Sequence, residues 1–293
     1  MMTTKHRLDT RQPARTWRQL ALRAALVGSL SLAAGATSQA AINSIASDDF
    51  TGDGNGALGG ATGGTGWTSP WTLGAAYSGA NWSVSSTSSA SYPGVAGPLG
   101  QMSGAYENLY DNYRSLPLQN SGIVYVQILA NYANYAGNGY GQIRLGLNNP
   151  GGYPIAYTSF ILSSGYAGPG YYQPGTWGIG GTAGFSFSST ALGSQTLLLE
   201  QINYNTGTSE LWVNPTLSGF NYLNPTATPD ATIASAGAFN DIEFLNIAGT
   251  VNQVSVFSVT APVPEPSTAF AGCFGLLAIA AAPLRAFRKK NQA

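Results

Sequence analysis

An all-β, two-sheet antiparallel sandwich is the fold this sequence predicts for its central part. Three observations predict it. The apolar segments are short, rich in β-branched and aromatic residues, and bounded by Gly, Asn, Ser and Pro. They recur at close spacing, as the strands of a sandwich do. No stretch between residues 41 and 261 keeps a helical apolar period with caps at its ends.

The chain begins with a different composition. Arg7, Arg11, Arg15, Arg18 and Arg23 make a basic leader, and Ala24 to Ala34 is a short apolar stretch. Ser38-Gln39-Ala40 then gives the small-x-small pattern of a cleavage site. Residues 1–40 therefore read as a secretory signal peptide, cut between Ala40 and Ala41 by signal peptidase. The Gly-rich run over residues 52–66 predicts tight turns with left-handed residues. A phosphate cradle would need a following helix and usually a lysine, and neither is present. Asn108 to Tyr113 reads either as one helical turn or as a strand edge. Ile123 to Leu129 is the clearest strand, and Gln142 to Leu147 alternates with Ile143, Leu145 and Leu147 on one face. Further strands are predicted over 157–162, 183–187, 196–204, 210–213, 241–247 and 253–259, with a hairpin loop at Asn205-Thr206-Gly207-Thr208.

The C-terminal region changes again. Val263-Pro264-Glu265-Pro266-Ser267 precedes an apolar run of 17 residues, 268 to 284, followed by Arg285, Arg288, Lys289 and Lys290. At about 1.5 Å per residue that run just spans a bilayer core. The basic tail keeps to the cytoplasmic side by the positive-inside rule. The two prolines hold Pro264-Glu265-Pro266 extended and accessible outside the membrane. The chain thus divides into a signal peptide (1–40), a β-sandwich domain (41–261) and a tail (262–293) with a transmembrane helix.

This division changes the meaning of the charge. The chain as a whole is neutral, but ten of its twelve basic residues lie in the two ends. Between residues 41 and 261 only Arg114 and Arg144 face ten acids, a net charge of −8. Such a body cannot neutralise a phosphate backbone, so nucleic acid is excluded as a partner. The single histidine, His6, lies in the leader, and the single cysteine, Cys273, in the tail. Histidine triads, thiolate catalysis, disulfides and the usual zinc sites are absent from the body on composition alone.

The tail resembles the PEP-CTERM sorting signal of Gram-negative bacteria over residues 263–290, with its three features in order. The resemblance implies recognition of Pro264, Glu265 and Pro266 by an exosortase. It also implies transient inner-membrane anchoring, removal of the helix and delivery to the cell envelope or exterior. A looser resemblance covers most of the body and points to one group of PEP-CTERM substrates. It runs through Asp49-Phe50, Gly63-Gly64-Thr65-Gly66-Trp67, Pro70-Trp71, Tyr92-Pro93-Gly94, Tyr113-Arg114-Ser115-Leu116, Val124-Tyr125-Val126 and Glu210-Leu211-Trp212-Val213-Asn214-Pro215. It implies a concanavalin-A-like (laminin-G-like) jelly roll and transfers no catalytic residue. Asp241-Ile242-Glu243-Phe244 stands where that group carries an arginine.

Four constellations are candidates for chemistry. Jelly rolls of this type host glycosidases, which need two carboxylates across the scissile bond. Asp241 and Glu243, at i and i+2 of one strand, share a face, and Glu200 and Glu210 face each other across a hairpin. Asp49-x-Thr51-x-Asp53-Gly54 imitates the start of an EF-hand, but Gly60 stands where the bidentate Glu belongs. Asp48, Asp49, Asp53 and Asn55 remain a candidate structural Ca²⁺ site, and no other cofactor is expected. Trp67, Trp71 and Trp212 read as core packing before sugar platforms. All sixteen tyrosines lie in the body and twelve fall between Tyr106 and Tyr172, interleaved with Asn and Gly. Tyr132, Tyr135, Tyr171 and Tyr172 are the candidate glycan contacts, since tyrosine and asparagine suit a polysaccharide surface. The same mixture suits a secreted sandwich that simply avoids charge. The function expected is that of a non-catalytic, exported structural or adhesive protein in contact with exopolysaccharide. The alternative is a glycoside hydrolase or lyase using an acid pair.

Overall fold

A computed structural model describes residues 40–73, 82–104, 111–132, 141–149, 152–163, 176–181, 184–191, 195–245 and 249–261. Two antiparallel sheets account for nearly all regular structure there. The first runs β14 (Ala231–Ile233), β13 (Thr208–Val213), β12 (Gln195–Asn203), β7 (Ile123–Tyr132), β16 (Gly249–Thr260), β5 (Gln101–Gly104), β4 (Ser83–Ser85) and β2 (Gly56–Ala57). Its ninth strand, β1 (Ala41–Asp48), pairs with the second half of β16, while β5 takes the first half. The second sheet runs β11 (Gly184–Ala191), β10 (Thr176–Gly181), β9 (Gly152–Ser163), β8 (Gly141–Asn149), β15 (Phe239–Leu245), β6 (Asp111–Gln119) and β3 (Thr72–Leu73).

The strand segments read from β-branched and alternating runs all lie in or over strands of these sheets. The predicted hairpin is β12–β13, where the Thr206 and Gly207 amides return to the Asn203 carbonyl and Gly207 takes a φ of 72°. Tyr113, ambiguous between helix and strand edge, lies in β6, while residues 108–110 lie outside the described residues. Among the described residues the only helix is a 3-10 turn at Thr51–Asp53.

The two sheets share one core. From the first come Ala46, Val84, Met102, Val126, Ile128, Leu198 and Val256; from the second come Leu116, Ile143, Leu145, Ile179, Ile242 and Phe244. Their alternation along each strand sends every second side chain inward. Trp71 lies in the middle of this core, 6.0 Å from Phe50 and 5.8 Å from Phe244 between ring centroids. The outward face of the first sheet is covered as well. Leu217, Phe220, Tyr222 and Leu223 fold over Tyr125, Leu199, Trp212 and Phe257, with Tyr125 stacked on Phe257 at 5.4 Å.

The Gly-rich segment after β1 has the left-handed backbone the sequence predicted. Gly64 and Gly66 have φ of 74° and 79°, and a Cβ on either would strike a β1 carbonyl, Ser47 or Ile45. The segment therefore lies directly on β1, tied by reciprocal Ser47–Thr65 backbone bonds of 2.9 and 2.8 Å. Only glycine tolerates both the dihedral and the approach.

Candidate functional site

Polar side chains withdraw from the surface in three groups, and strand alternation places the first two. The first lies between the sheets. Asp48 follows Ala46 at i+2 on the inward face of β1, and Arg114 precedes Leu116 at i−2 on the inward face of β6. Arg114 Nη1 donates to Asp48 Oδ2 at 2.5 Å, so the ion pair bridges the two sheets. Trp71 Nε1 donates to the same oxygen at 3.0 Å, and the Phe50 amide to Oδ1 at 2.8 Å. Arg114 Nε donates to the Ser69 carbonyl at 3.0 Å, and the guanidinium lies 5.0 Å from the Trp67 ring and 5.6 Å from the Trp71 ring. Burial pushes the Asp48 carboxyl up to about 6, and the Trp71 donor is the strongest influence pulling it back.

This arrangement occupies the residues singled out for calcium. Asp48 is committed to Arg114 and Trp71. Asp49 Oδ1 accepts from the Thr51 amide and hydroxyl at 3.0 and 2.6 Å. Asp53 Oδ1 accepts from the Gly63 amide, and Asn55 Oδ1 accepts from the Ser86 amide at 2.9 Å. These oxygens close turns and bridge loops. Among the described residues no group of three or more His, Cys, Asp or Glu is placed to hold a metal ion.

The second group is on the outward face of the second sheet. Ile242 and Phe244 point into the core, so Asp241 and Glu243 point away from it. A register irregularity between Phe239 and Asp241, opposite the Pro117 segment of β6, lets Phe239 share the core with Ile242. Glu243 pairs across the ladder with Arg144, whose Nη1 approaches Glu243 Oε2 at 3.3 Å. Asp241 and Glu243 are both fully buried. Neither Asp241 oxygen makes a hydrogen bond of ordinary geometry. Burial pushes the Asp241 carboxyl up to about 7, with the amide of register-paired Gly146 pulling the other way. The same-face acid pair read from the sequence is thus real in placement. The burial of both members was not legible, because acids on a strand ordinarily face water.

The other acid pair is overturned. Glu200 stands opposite Leu211, and Glu210 stands opposite Gln201. Glu200 lies between Leu199 and Gln201 on the inward face with Leu198 and Ile202, whereas Glu210 alternates outward from Leu211. A shift of one residue in the hairpin register sends the two carboxyls to opposite faces. Glu200 is fully buried, and its charge helps hold the Tyr204 phenol well above its ordinary pKa, after burial itself.

The third group is the tyrosines. Tyr92, Tyr125 and Tyr204 each donate their hydroxyl to a backbone carbonyl: Pro215 at 3.0 Å, Tyr222 at 2.7 Å, and Gln119 and Gly237 at 3.0 Å each. They tie loops to the sheets. Trp71 and Trp212 are buried, and Trp67 is half-buried with its Nε1 on the Ser47 carbonyl, as core packing requires. Of the candidate glycan contacts, Tyr132 ends β7, while Tyr135, Tyr171 and Tyr172 lie outside the described residues. Pro264, Glu265, Pro266, Arg285, Arg288, Lys289 and Lys290 also lie outside them. Among the described residues no helix is long and apolar enough to cross a membrane, and the 268–284 run is not among them. Ala40 and Ala41 lie at the entry to β1, where Ala41 pairs with Thr260.

No family model and no curated protein sequence matches the chain. Solved structures show distant likeness. A sialidase aligns over 76% of this chain at 10% identity and a TM-score of 0.39, the chain spanning 19% of that protein. The exoplasmic/lumenal domain of VIP36, bound to Ca²⁺ and Man3GlcNAc, aligns over 56% of this chain and 80% of its own, at 8% identity and a TM-score of 0.35. A legume lectin-like domain from Entamoeba histolytica aligns over 57% and 85%, at 10% identity and a TM-score of 0.32.

Proposed function

We propose that residues 41–261 form a non-catalytic exported domain, delivered by signal peptidase and exosortase processing, whose surface contacts matrix polysaccharide. One observation carries the reading: both cations of the body are spent internally. Arg114 is 3% exposed in its pair with Asp48, and Arg144 is 16% exposed in its pair with Glu243. Among the described residues the exposed polar groups are mostly hydroxyls and amides, with a few acids. Such a surface repels anionic polymers and hydrogen-bonds to neutral polyhydroxyl chains. The mature product should be retained on the host's own exopolysaccharide at millimolar saccharide; no retention would end the adhesive reading. For delivery, Pro264→Ala with Glu265→Ala should leave the protein in the inner membrane, and normal export of that variant would remove the exosortase step.

A second reading rests on the outward acid pair. Burial pushes the Asp241 carboxyl up to about 7 while Arg144 lies 3.3 Å from Glu243, and two acids in unlike surroundings suit a general acid and a base or nucleophile. Residues i and i+2 on a strand are roughly 6.5–7 Å apart, within the range glycosidases use. The burial that raises Asp241 also shields both acids from a polymer, so the non-catalytic reading leads. New reducing ends from matrix polysaccharide, abolished by Glu243→Gln, would reverse that order.

A further inference from the structure

We propose that one end of the sandwich, the end from which both flanking segments leave the body, is a bilayer-facing surface. It would sit on lipid headgroups while the chain is anchored. The proposal rests on the anchored stage of the export reading above. Its own ground is the register of β1 on β16. Ala41 pairs with Thr260 and Ile42 with Val259, so the first and last residues of the body are adjacent in one ladder. The same end carries the β6–β7 turn and the β12–β13 hairpin, because Ile123 pairs with both Val259 and Asn203. The Tyr204 hydroxyl, reaching the Gln119 and Gly237 carbonyls at 3.0 Å each, ties in the approach to β15.

Chain length then limits how far this end can stand from a membrane. The apolar run starts at Thr268, seven residues beyond Ala261. Seven residues at full extension reach at most about 25 Å. Asn131, near the far end of β7 and eight residues from Ile123, stands about 27 Å further along the strand. The end itself is chemically suited to a headgroup layer. Residues 41–44, 117–123, 203–208, 237–239 and 258–261 contain no charged side chain. Two of the exposed large hydrophobics, Ile42 and Leu118, each 53% exposed, are here. The acids Asp48, Asp49 and Asp53 lie at or beyond the opposite end of β1. A body with a net charge of −8 would be repelled by anionic lipid on any face that presents those acids. This end presents none.

The test uses the full chain with Cys273→Ser, reconstituted in vesicles of phosphatidylethanolamine and phosphatidylglycerol. Single cysteines at Asn205→Cys, in the β12–β13 turn, and Asn131→Cys, at the far end of β7, take an environment-sensitive fluorophore. Both positions are exposed. Headgroup-level quencher lipid should quench the Asn205 probe several-fold more than the Asn131 probe. Ile42→Glu with Leu118→Glu should bring the two values together. If Asn205→Cys does not fold, Ser121→Cys reports on the same end. Chain that floats with the vesicles but shows equal quenching at both positions overturns this proposal alone. Chain that does not float overturns the anchored reading and this proposal with it.

Discussion

The two arginines of the body make the same kind of contact and are held in different ways. Arg114 reaches Asp48 at 2.5 Å between the sheets, uses Nε on the Ser69 carbonyl, and lies against two indoles. Asp48 in turn accepts from the Phe50 amide and Trp71 Nε1. Arg144 reaches Glu243 at the longer distance of 3.3 Å on an outward face, beside an Asp241 that makes no ordinary hydrogen bond. A buried carboxylate is costly unless donors replace its water. The inner pair is surrounded by such donors and acts as a staple between β1 and β6. The outer pair leaves a neighbouring acid to solve its burial by holding a proton.

The sharpest way to break the comparison is to remove each guanidinium. Arg114→Met leaves Asp48 buried with two neutral donors and no cation. Loss of one partner from a buried pair costs about 3–5 kcal/mol, and urea denaturation should show a loss of that order. Asp48→Asn added to it should recover part, since a neutral amide is cheaper to bury than a lone carboxylate and its oxygen still accepts from one of the two donors, Trp71 or Phe50. Arg144→Met should cost less, about 1–3 kcal/mol, and more at pH 8 than at pH 5, because Asp241 then adds its charge beside Glu243. An equal cost at the two sites would mean that Arg114's bond to Ser69 and its contacts with the two indoles contribute nothing.

How much of this was legible depended on the distance over which residues interact. Alternation within a segment exposed β7, β8, β12, β13, β15 and β16, and Asn-Thr-Gly-Thr exposed the hairpin, because both signals are local. β1 was not visible: Ala41–Asp48 is polar and small, and it is a strand only because β16 offers an edge to it. The Asp48–Arg114 staple joins residues 66 apart in the chain, so no spacing rule could pair them. Sequence neighbours make Asp48 a candidate member of a cation loop, whereas in the fold its Oδ2 goes to Arg114 and Trp71, both distant in the chain. The Asp241–Glu243 face followed from a period of two, whereas the Glu200–Glu210 face failed because hairpin register, not proximity in sequence, decides which side chains meet.

Asp241 gives an effect with a definite sign. Its carboxyl lies at about 7 in the folded protein against an ordinary 3.8. The folded state therefore binds more protons, and the stability this group contributes is full below about pH 4. It is lost as pH rises toward 7, at up to roughly 1.4 kcal/mol per pH unit. Asp241→Asn removes that slope. The variant should match the wild type at low pH and exceed it at pH 8, as melting temperatures across the range would show. A variant less stable than wild type at pH 8 would mean that the ionised carboxylate has a partner.

The smallest change asks whether shape or charge matters at each arginine. Lysine keeps the charge but cannot bond Asp48 and Ser69 at once or lie flat on an indole. Arg114→Lys should therefore still cost about 1–2 kcal/mol, one charge-assisted bond and some ring contact. At Arg144 the contact with Glu243 is long, 3.3 Å, and its head is partly exposed, so there a point charge serves as well. Arg144→Lys should stay within about 0.5 kcal/mol of wild type. Denaturation midpoints of the two variants, measured side by side at neutral pH, check both values. If Arg144→Lys fell as far as Arg114→Lys, the outer guanidinium would be held by its planar geometry too, and the outward face would be a built site in its own right.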